Sequence, residues 1–192
     1  FGGRTVPTGG LVAVGIEPEE RGLGTGKELM QAALLEMRAR GLVLSTLYPA
    51  TQSFYRKCGY ELAGGRYEIR VDAAAIGLAE RDLPVRRLGP ADRPAVRAAY
   101  ARAAACSPGW LERHEYMWSR IDEWKGEVRE GYATGAGDRI DAYLFLARRR
   151  DATGRHDVFV ADFVVLEARA GRRLLSFLAD HRSMANAVTW YG

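Results

Sequence analysis

Arg21-Gly22-Leu23-Gly24-Thr25-Gly26 decides how this chain is read, and its three glycines are more than an ordinary turn requires, since each costs backbone entropy. The stretch follows an apolar, β-branched run, Leu11 to Ile16. It precedes an amphipathic segment in which Leu29, Met30, Ala33, Leu34 and Met37 recur at three- and four-residue spacing. That order predicts a buried strand over Leu11 to Ile16, a turn at Glu17-Pro18, and a helix from about Thr25 to Arg40 that stops at Gly41. A glycine-rich bend entering a helix points several unpaired N–H groups at one spot, where the positive end of the helix dipole adds to the attraction for an anion. A phosphate or pyrophosphate fits there. The spacing excludes a P-loop, which needs Gly-x-x-x-x-Gly-Lys-Ser/Thr. It also differs from the dinucleotide fingerprint, and the acidic residue that fingerprint requires is missing where the second strand ends at Leu47-Tyr48-Pro49.

Outward from this point, Leu42 to Leu47 makes a second strand, giving a strand-helix-strand unit with a right-handed crossover. A short helix, Thr51 to Lys57, closes at Gly59. Tyr60 to Leu62 and Arg66 to Val71, parted by Gly64-Gly65, read as a strand pair finishing the sheet. A domain boundary is expected in the Ala-rich stretch ending at Asp82, dividing the chain into residues 1–82 and 83–192. The second part reads as a helix over Asp92 to Ala105, strands over Tyr143 to Ala147 and Val158 to Val165, a helix over Ala168 to Arg182 and a last strand, Ala187 to Tyr191. It repeats the alternation of the first part, but Leu166-Glu167-Ala168-Arg169-Ala170-Gly171-Arg172 has a single glycine and no phosphate cradle.

Composition narrows the function. With 47% apolar and 27% charged residues the chain is globular, and no apolar stretch approaches the roughly 20 residues of a membrane span. The net charge of +4 is modest and scattered, so no basic face for nucleic acid is expected. Cys58 and Cys106 cannot build a disulfide framework or a multi-cysteine zinc site; no metal site is expected and a reducing, cytoplasmic setting is. The chain begins with Phe1, without a secretory signal pattern.

A strand, then Pro18-x-x-Arg21-Gly22-x-Gly24-x-Gly26, then an amphipathic helix resembles the acyl-CoA-binding core of the GNAT superfamily of N-acetyltransferases, whose signature is Arg/Gln-x-x-Gly-x-Gly/Ala. Phe54-Tyr55-Arg56-Lys57-Cys58-Gly59-Tyr60 resembles the Tyr-x-x-x-Gly-Phe/Tyr segment that closes such a core. Tyr48-Pro49-Ala50-Thr51 and Phe177 to Met184 resemble, more narrowly, the enhanced intracellular survival branch, which carries an active GNAT domain, a degenerate one and a sterol-carrier-like third.

The resemblance implies an α/β fold, a mixed sheet with flanking helices. Residues 1–82 would be the C-terminal part of an acetyl-CoA-binding GNAT domain, and residues 83–192 a second, degenerate one. Further chain is expected before Phe1 and after Gly192, and a homo-oligomer, a hexamer in the branch, is implied. Acetyl-CoA is the implied cosubstrate. Backbone groups of Val14, Gly15 and Ile16 would hold its pantetheine arm and the amides of Arg21, Gly22, Leu23, Gly24, Thr25 and Gly26 its pyrophosphate, with Ala50 and Thr51 approaching from the other side.

Acetyl transfer to an amine needs a proton for the departing thiolate, and Tyr55 occupies the position the family pattern gives to the general acid. No base is evident: His114, His156 and His181 all lie in the second part, Glu19 and Glu20 read as solvated, and in the resembled branch the base is the C-terminal carboxylate of the third domain. Cys58 reads as a small hydrophobe rather than an acyl carrier. Trp110, Tyr116, Trp118 and Trp124 read as packing, with an acceptor pocket as the other use. The expected activity is therefore acetyl transfer to a primary amine (an aminoglycoside, a polyamine or a lysine side chain) by direct attack in a ternary complex. A non-catalytic acyl-CoA-binding regulatory module and transfer to an aminoacyl or peptidoglycan precursor are the alternatives.

Overall fold

The computed structural model describes residues 4–137, 139–150 and 154–192. It divides into two compact units, residues 4–65 and residues 66–192.

The first unit runs β1 (Thr8–Leu11), α1 (Thr25–Ala39), β2 (Leu44–Leu47), α2 (Gln52–Lys57). β1 and β2 are parallel, in register from Thr8 opposite Leu44 to Leu11 opposite Leu47, with α1 as the crossover. The first strand thus lies earlier than the expected Leu11 to Ile16. Two local causes end it at Leu11. Ala13 takes the left-handed region at φ 56°, and β2 runs into Tyr48-Pro49, where proline offers no N–H to continue a ladder. Gly9-Gly10, which resembles a turn in sequence, is strand because α1 lies against it. A Cβ at Gly9 would stand 2.6 Å from Met37 Sδ. Met30 is the one fully buried apolar side chain of this unit among the described residues.

The second unit adds β3 (Glu68–Asp72), β4 (Val85–Arg87), α3 (Arg93–Ala105), α4 (Glu115–Asp122), a two-residue hairpin of β5 (Glu123–Trp124) and β6 (Glu127–Val128), β7 (Glu130–Thr134), β8 (Ala142–Arg150), β9 (His156–Val165), α5 (Ala168–Ala179) and β10 (Ala185–Tyr191). Its mixed sheet has the order β3-β10-β9-β8-β7-β4, in which only β9 and β10 are parallel.

β3 corrects the expected organisation. It pairs with β10, Asp72 opposite Ala187 through Glu68 opposite Tyr191, and Tyr67 and Gly192 extend the ladder by exchanging backbone bonds of 2.8 and 3.0 Å. The strand pair across Gly64-Gly65 does not form, and the chain divides after Gly65 rather than after Asp82. Pairing with a strand more than a hundred residues away covers an edge of β10 that would otherwise present unpaired backbone groups.

The core has two sides. Leu144 and Leu146 of β8, with Val158 and Val160 of β9, pack against Ala170, Leu174 and Leu178 of α5. Tyr143 of β8 and Val164 of β9 pack with Val96, Ala99 and Tyr100 of α3 and Trp118 and Ile121 of α4. β9 can serve both faces with even-numbered residues because its register against β8 shifts between Phe145 opposite Asp162 and Leu146 opposite Val160. This bulge at Ala161 turns Asp162 and Val164 onto the α3/α4 face. Asp162 there meets Arg113 in a bidentate pair at 2.7 and 2.8 Å and accepts from the Tyr143 hydroxyl at 3.2 Å.

Candidate functional site

The glycine-rich stretch opens α1 without a cap. Gly24, the residue before the helix, has φ 99° and no side chain to offer, and Gly22 has φ 85°. Side chains enter that region only at a cost, which accounts for two of the glycines. The third is a matter of space: a Cβ on Gly26 would stand 3.3 Å from Phe54 Cζ and 3.5 Å from Ile16 Cγ1, so its absence lets α2 rest on the first turn of α1. The intrahelical pattern begins with Lys27 and Glu28, whose amides donate to the Gly24 carbonyl at 2.8 and 3.2 Å. Among the described residues, the amides of Gly22, Leu23, Gly24, Thr25 and Gly26 donate to no acceptor. Five unsatisfied donors thus gather at the positive end of a 15-residue helix, an arrangement whose electrostatics favour an anion.

The neighbouring side chains shape the loop. Arg21 Nε donates to the Ile16 carbonyl at 3.1 Å, tying the two ends of the segment between β1 and α1. Thr25 Oγ1 donates to Glu20 Oε2 at a long 3.3 Å, so one carboxylate stands beside the helix start. Val14, Gly15 and Ile16 lie beyond the end of β1 rather than within it. Backbone groups of Ala13, Val14 and Gly15 have no partner among the described residues, so an extended chain could pair with them. Ala50 and Thr51 are exposed and lead into α2, whose start also lacks a side-chain cap.

Tyr55 is half-buried on α2. Its ring meets Phe54 edge-on at 5.1 Å and Tyr60 at 6.2 Å, and its hydroxyl has no hydrogen-bond partner among the described residues. Tyr60, by contrast, is anchored: its hydroxyl shares a hydrogen bond of 2.5 Å with Ser45 Oγ on β2. Gly59, at φ 92°, turns the chain so that the Tyr60 amide returns to the Tyr55 carbonyl at 3.1 Å. The structure therefore gathers the predicted cradle, the free backbone of residues 13–15 and Tyr55 within one strand-helix-strand-helix unit.

Sequence reasoning missed a groove of about 270 Å³ in the same unit, lined by Lys27, Gln31, Leu34, Lys57 and Cys58. The spacing of Lys27, Gln31 and Leu34 along one face of α1 was its available signal. Of the aromatic set of the second unit only Trp118 is buried, edge-on to Tyr100 at 5.4 Å; Trp110 stacks on Tyr100 at 5.5 Å but stays exposed, Trp124 lies under Arg120 at 3.6 Å, and Tyr116 is exposed. His181 holds the Phe177 carbonyl through Nδ1 at 3.1 Å.

Family models described as acetyltransferase (GNAT) domains match residues 1–63 and residues 109–192. Across all of this chain, the GCN5-related N-acetyltransferase from Anabaena variabilis superposes with a TM-score of 0.92 at 33% identity. The fold is that of the GNAT acetyltransferases. A second GNAT structure, the GCN5-related N-acetyltransferase from Kribbella flavida, gives a TM-score of 0.81 at 28% identity over the whole chain. Mycothiol acetyltransferase from Saccharomonospora viridis is 43% identical over 67 residues, 32% of this chain. The chain spans 49% and 46% of the two GNAT structures and 21% of the mycothiol acetyltransferase. Among the described residues no helix is long and apolar enough to cross a membrane.

Proposed function

We propose that residues 4–65 bind acetyl-CoA and that the protein transfers its acetyl group to a primary amine. The observation that carries this reading is the uncapped start of α1, with five partnerless amides from Gly22 to Gly26. In this reading those amides, with Arg21 beside them, hold the pyrophosphate. Val14, Gly15 and Ile16 pair through their backbone with the pantetheine arm, and Ala50 and Thr51 flank it from the start of α2. When bound, acetyl-CoA supplies an activated acyl carbon and a thiolate leaving group. The amine attacks directly, in a ternary complex, without an acyl-enzyme stage. Tyr55 is the general acid: its hydroxyl is unclaimed by other described groups and can hand its proton to the departing thiolate.

The similarity to a mycothiol acetyltransferase and to two GCN5-related N-acetyltransferases supports acetyl transfer. Assignment to the enhanced intracellular survival branch, with its homo-oligomer and its small-molecule or lysine acceptor, is supported by the residue resemblances, and a reducing, cytoplasmic setting by the two cysteines, Cys58 and Cys106. Thioester consumption with a panel of aminoglycosides, polyamines and lysine peptides tests the proposal. Amine-dependent release of CoA supports it; binding of acetyl-CoA without turnover on any amine would favour an acyl-CoA-binding regulatory module instead.

A further inference from the structure

We propose that a pocket of the second unit, between α3, α4 and the start of β7, binds a small aromatic carboxylate, its ring against Trp118 and Phe145 and its acid group on the Arg129 guanidinium. This site lies apart from the unit assigned to acetyl-CoA, and the proposal does not rest on that reading.

The size and floor of the pocket select the body of the ligand. Its volume is about 220 Å³, roughly seven waters at about 30 Å³ each. That holds one ring with a short acidic arm and is far too small for a CoA ester. Trp118 is buried and forms one wall. Gly131 of β7 keeps the floor low: a Cβ there would stand 2.8 Å from Phe145 Cε1 and 3.0 Å from Leu88 Cδ1, so both side chains settle against the strand. Aromatic rings favour such surfaces in stacked or edge-on contact.

Charge selects the acid group. The Arg129 side chain is 9% exposed, and its Nη1 donates to the carbonyls of Arg120 and Ile121 near the end of α4 at 2.6 and 3.4 Å. Its Nε is buried without a hydrogen-bond partner. Glu127, the acid paired with it, stands 3.6 Å away and is already held by Arg149 through both oxygens at 2.7 and 3.0 Å. Burial is the largest influence on Arg129 and holds its pKa below the usual arginine range. A buried cation with a shared counter-ion is poorly compensated, and a ligand carboxylate answers it.

The rim adds to this. Arg93 and Arg97 lie four residues apart on α3, pairing with Asp122 at 2.6 Å and with Glu115. Both pairs are exposed enough to be held weakly, so the arginines can turn toward a ligand at little cost. Three guanidiniums thus line a pocket in which Asp122 is the single acid among the described residues.

Titration of the ¹⁵N-labelled chain with phenylacetate and with phenylacetamide, a neutral probe of the same shape, tests the proposal. Phenylacetate should give saturable shifts at the Gly131 amide and the Trp118 indole N–H, with a Kd of about 1 mM or tighter. Phenylacetamide should bind about tenfold more weakly or worse. Arg129→Met would also lose the carbonyl bonds at the end of α4, so Val128→Glu is the variant of choice. Val128 lines the pocket yet is 69% exposed, and a carboxylate there should erase the preference for phenylacetate while leaving phenylacetamide binding unchanged. No saturation with phenylacetate, shifts centred elsewhere, equal affinity for the two probes, or a preference that survives in Val128→Glu would each overturn the site.

Discussion

Replacing Tyr55 with Phe separates chemistry from structure unusually well. The ring is held by edge contacts with Phe54 at 5.1 Å and Tyr60 at 6.2 Å, and phenylalanine keeps both. The hydroxyl has no partner among the described residues, so its removal strands no donor or acceptor. Folding stability should accordingly change by less than about 0.5 kcal/mol. If the hydroxyl protonates the leaving thiolate, kcat should fall about 10²-fold or more, or about 2.7 kcal/mol of transition-state stabilisation at 1.36 kcal/mol per tenfold. Affinity for acetyl-CoA should stay nearly constant, because only a transition-state interaction is lost. Tyr60→Phe is the matched control. It breaks the 2.5 Å bond to Ser45 Oγ and should cost about 1 kcal/mol of stability without a comparable loss in kcat. Steady-state kinetics on thioester consumption, calorimetric titration with acetyl-CoA and urea denaturation of both variants read these quantities. A Tyr55→Phe protein within twofold of the unaltered kcat would remove this residue from the mechanism.

Gly24→Glu should abolish acetyl-CoA binding by putting bulk and negative charge at the cradle, with a folding cost of about 1–2 kcal/mol for a side chain in the left-handed region; unchanged affinity by calorimetry would mean that the ligand sits elsewhere. Asp162→Ala leaves Arg113, whose side chain is 15% exposed, without its partner, and should cost about 3–5 kcal/mol by denaturation. Glu115→Ala breaks the exposed pair with Arg97 and should cost under about 1 kcal/mol; equal losses would undo this ranking. Burial holds His181 below the ordinary histidine value, so the unfolded chain takes up its proton first as pH falls. Stability should be full above about pH 6.5 and decline as the pH drops from there through the lower folded value. His181→Gln should flatten that part of the curve, and an unaltered slope in the variant would assign the decline to other groups.

Much of the first unit was legible because its signals are local. The three- and four-residue spacing of Leu29, Met30, Ala33, Leu34 and Met37 and the stop at Gly41 mark α1 to within a residue, and the glycines that mark its start are those the backbone needs at positive φ. Apolar run length misled at β1. Val12 to Ile16 looks like a buried strand, yet strand limits are set by pairing, which Ala13 and Pro49 end and which Gly9 permits through its contact with Met37. The partner of β3 was invisible for the opposite reason: its ladder with β10 joins segments far apart in sequence, and no periodicity encodes that distance. The hairpin of β5 and β6 turns on Lys125 and Gly126, both at positive φ, a pairing less distinctive than Asn-Gly. Within the candidate site, the uncapped glycine turn before α1 and the place of Tyr55 on α2 are local features that the motif marks. The groove of Lys27 and Lys57 depends on α2 resting against α1, a contact that shows only in three dimensions.

The account's central claim is that an anion of acetyl-CoA sits on the amides opening α1. Amide chemical shifts in a ¹⁵N-labelled chain titrated with acetyl-CoA test it at the atoms concerned. Saturable shifts and slowed hydrogen exchange are predicted at Gly22, Leu23, Gly24, Thr25 and Gly26, with no comparable change at Ala168 to Gly171, where α5 opens without a glycine cradle. Shifts centred on the start of α5, or a saturating titration that leaves those five amides unmoved, would contradict it.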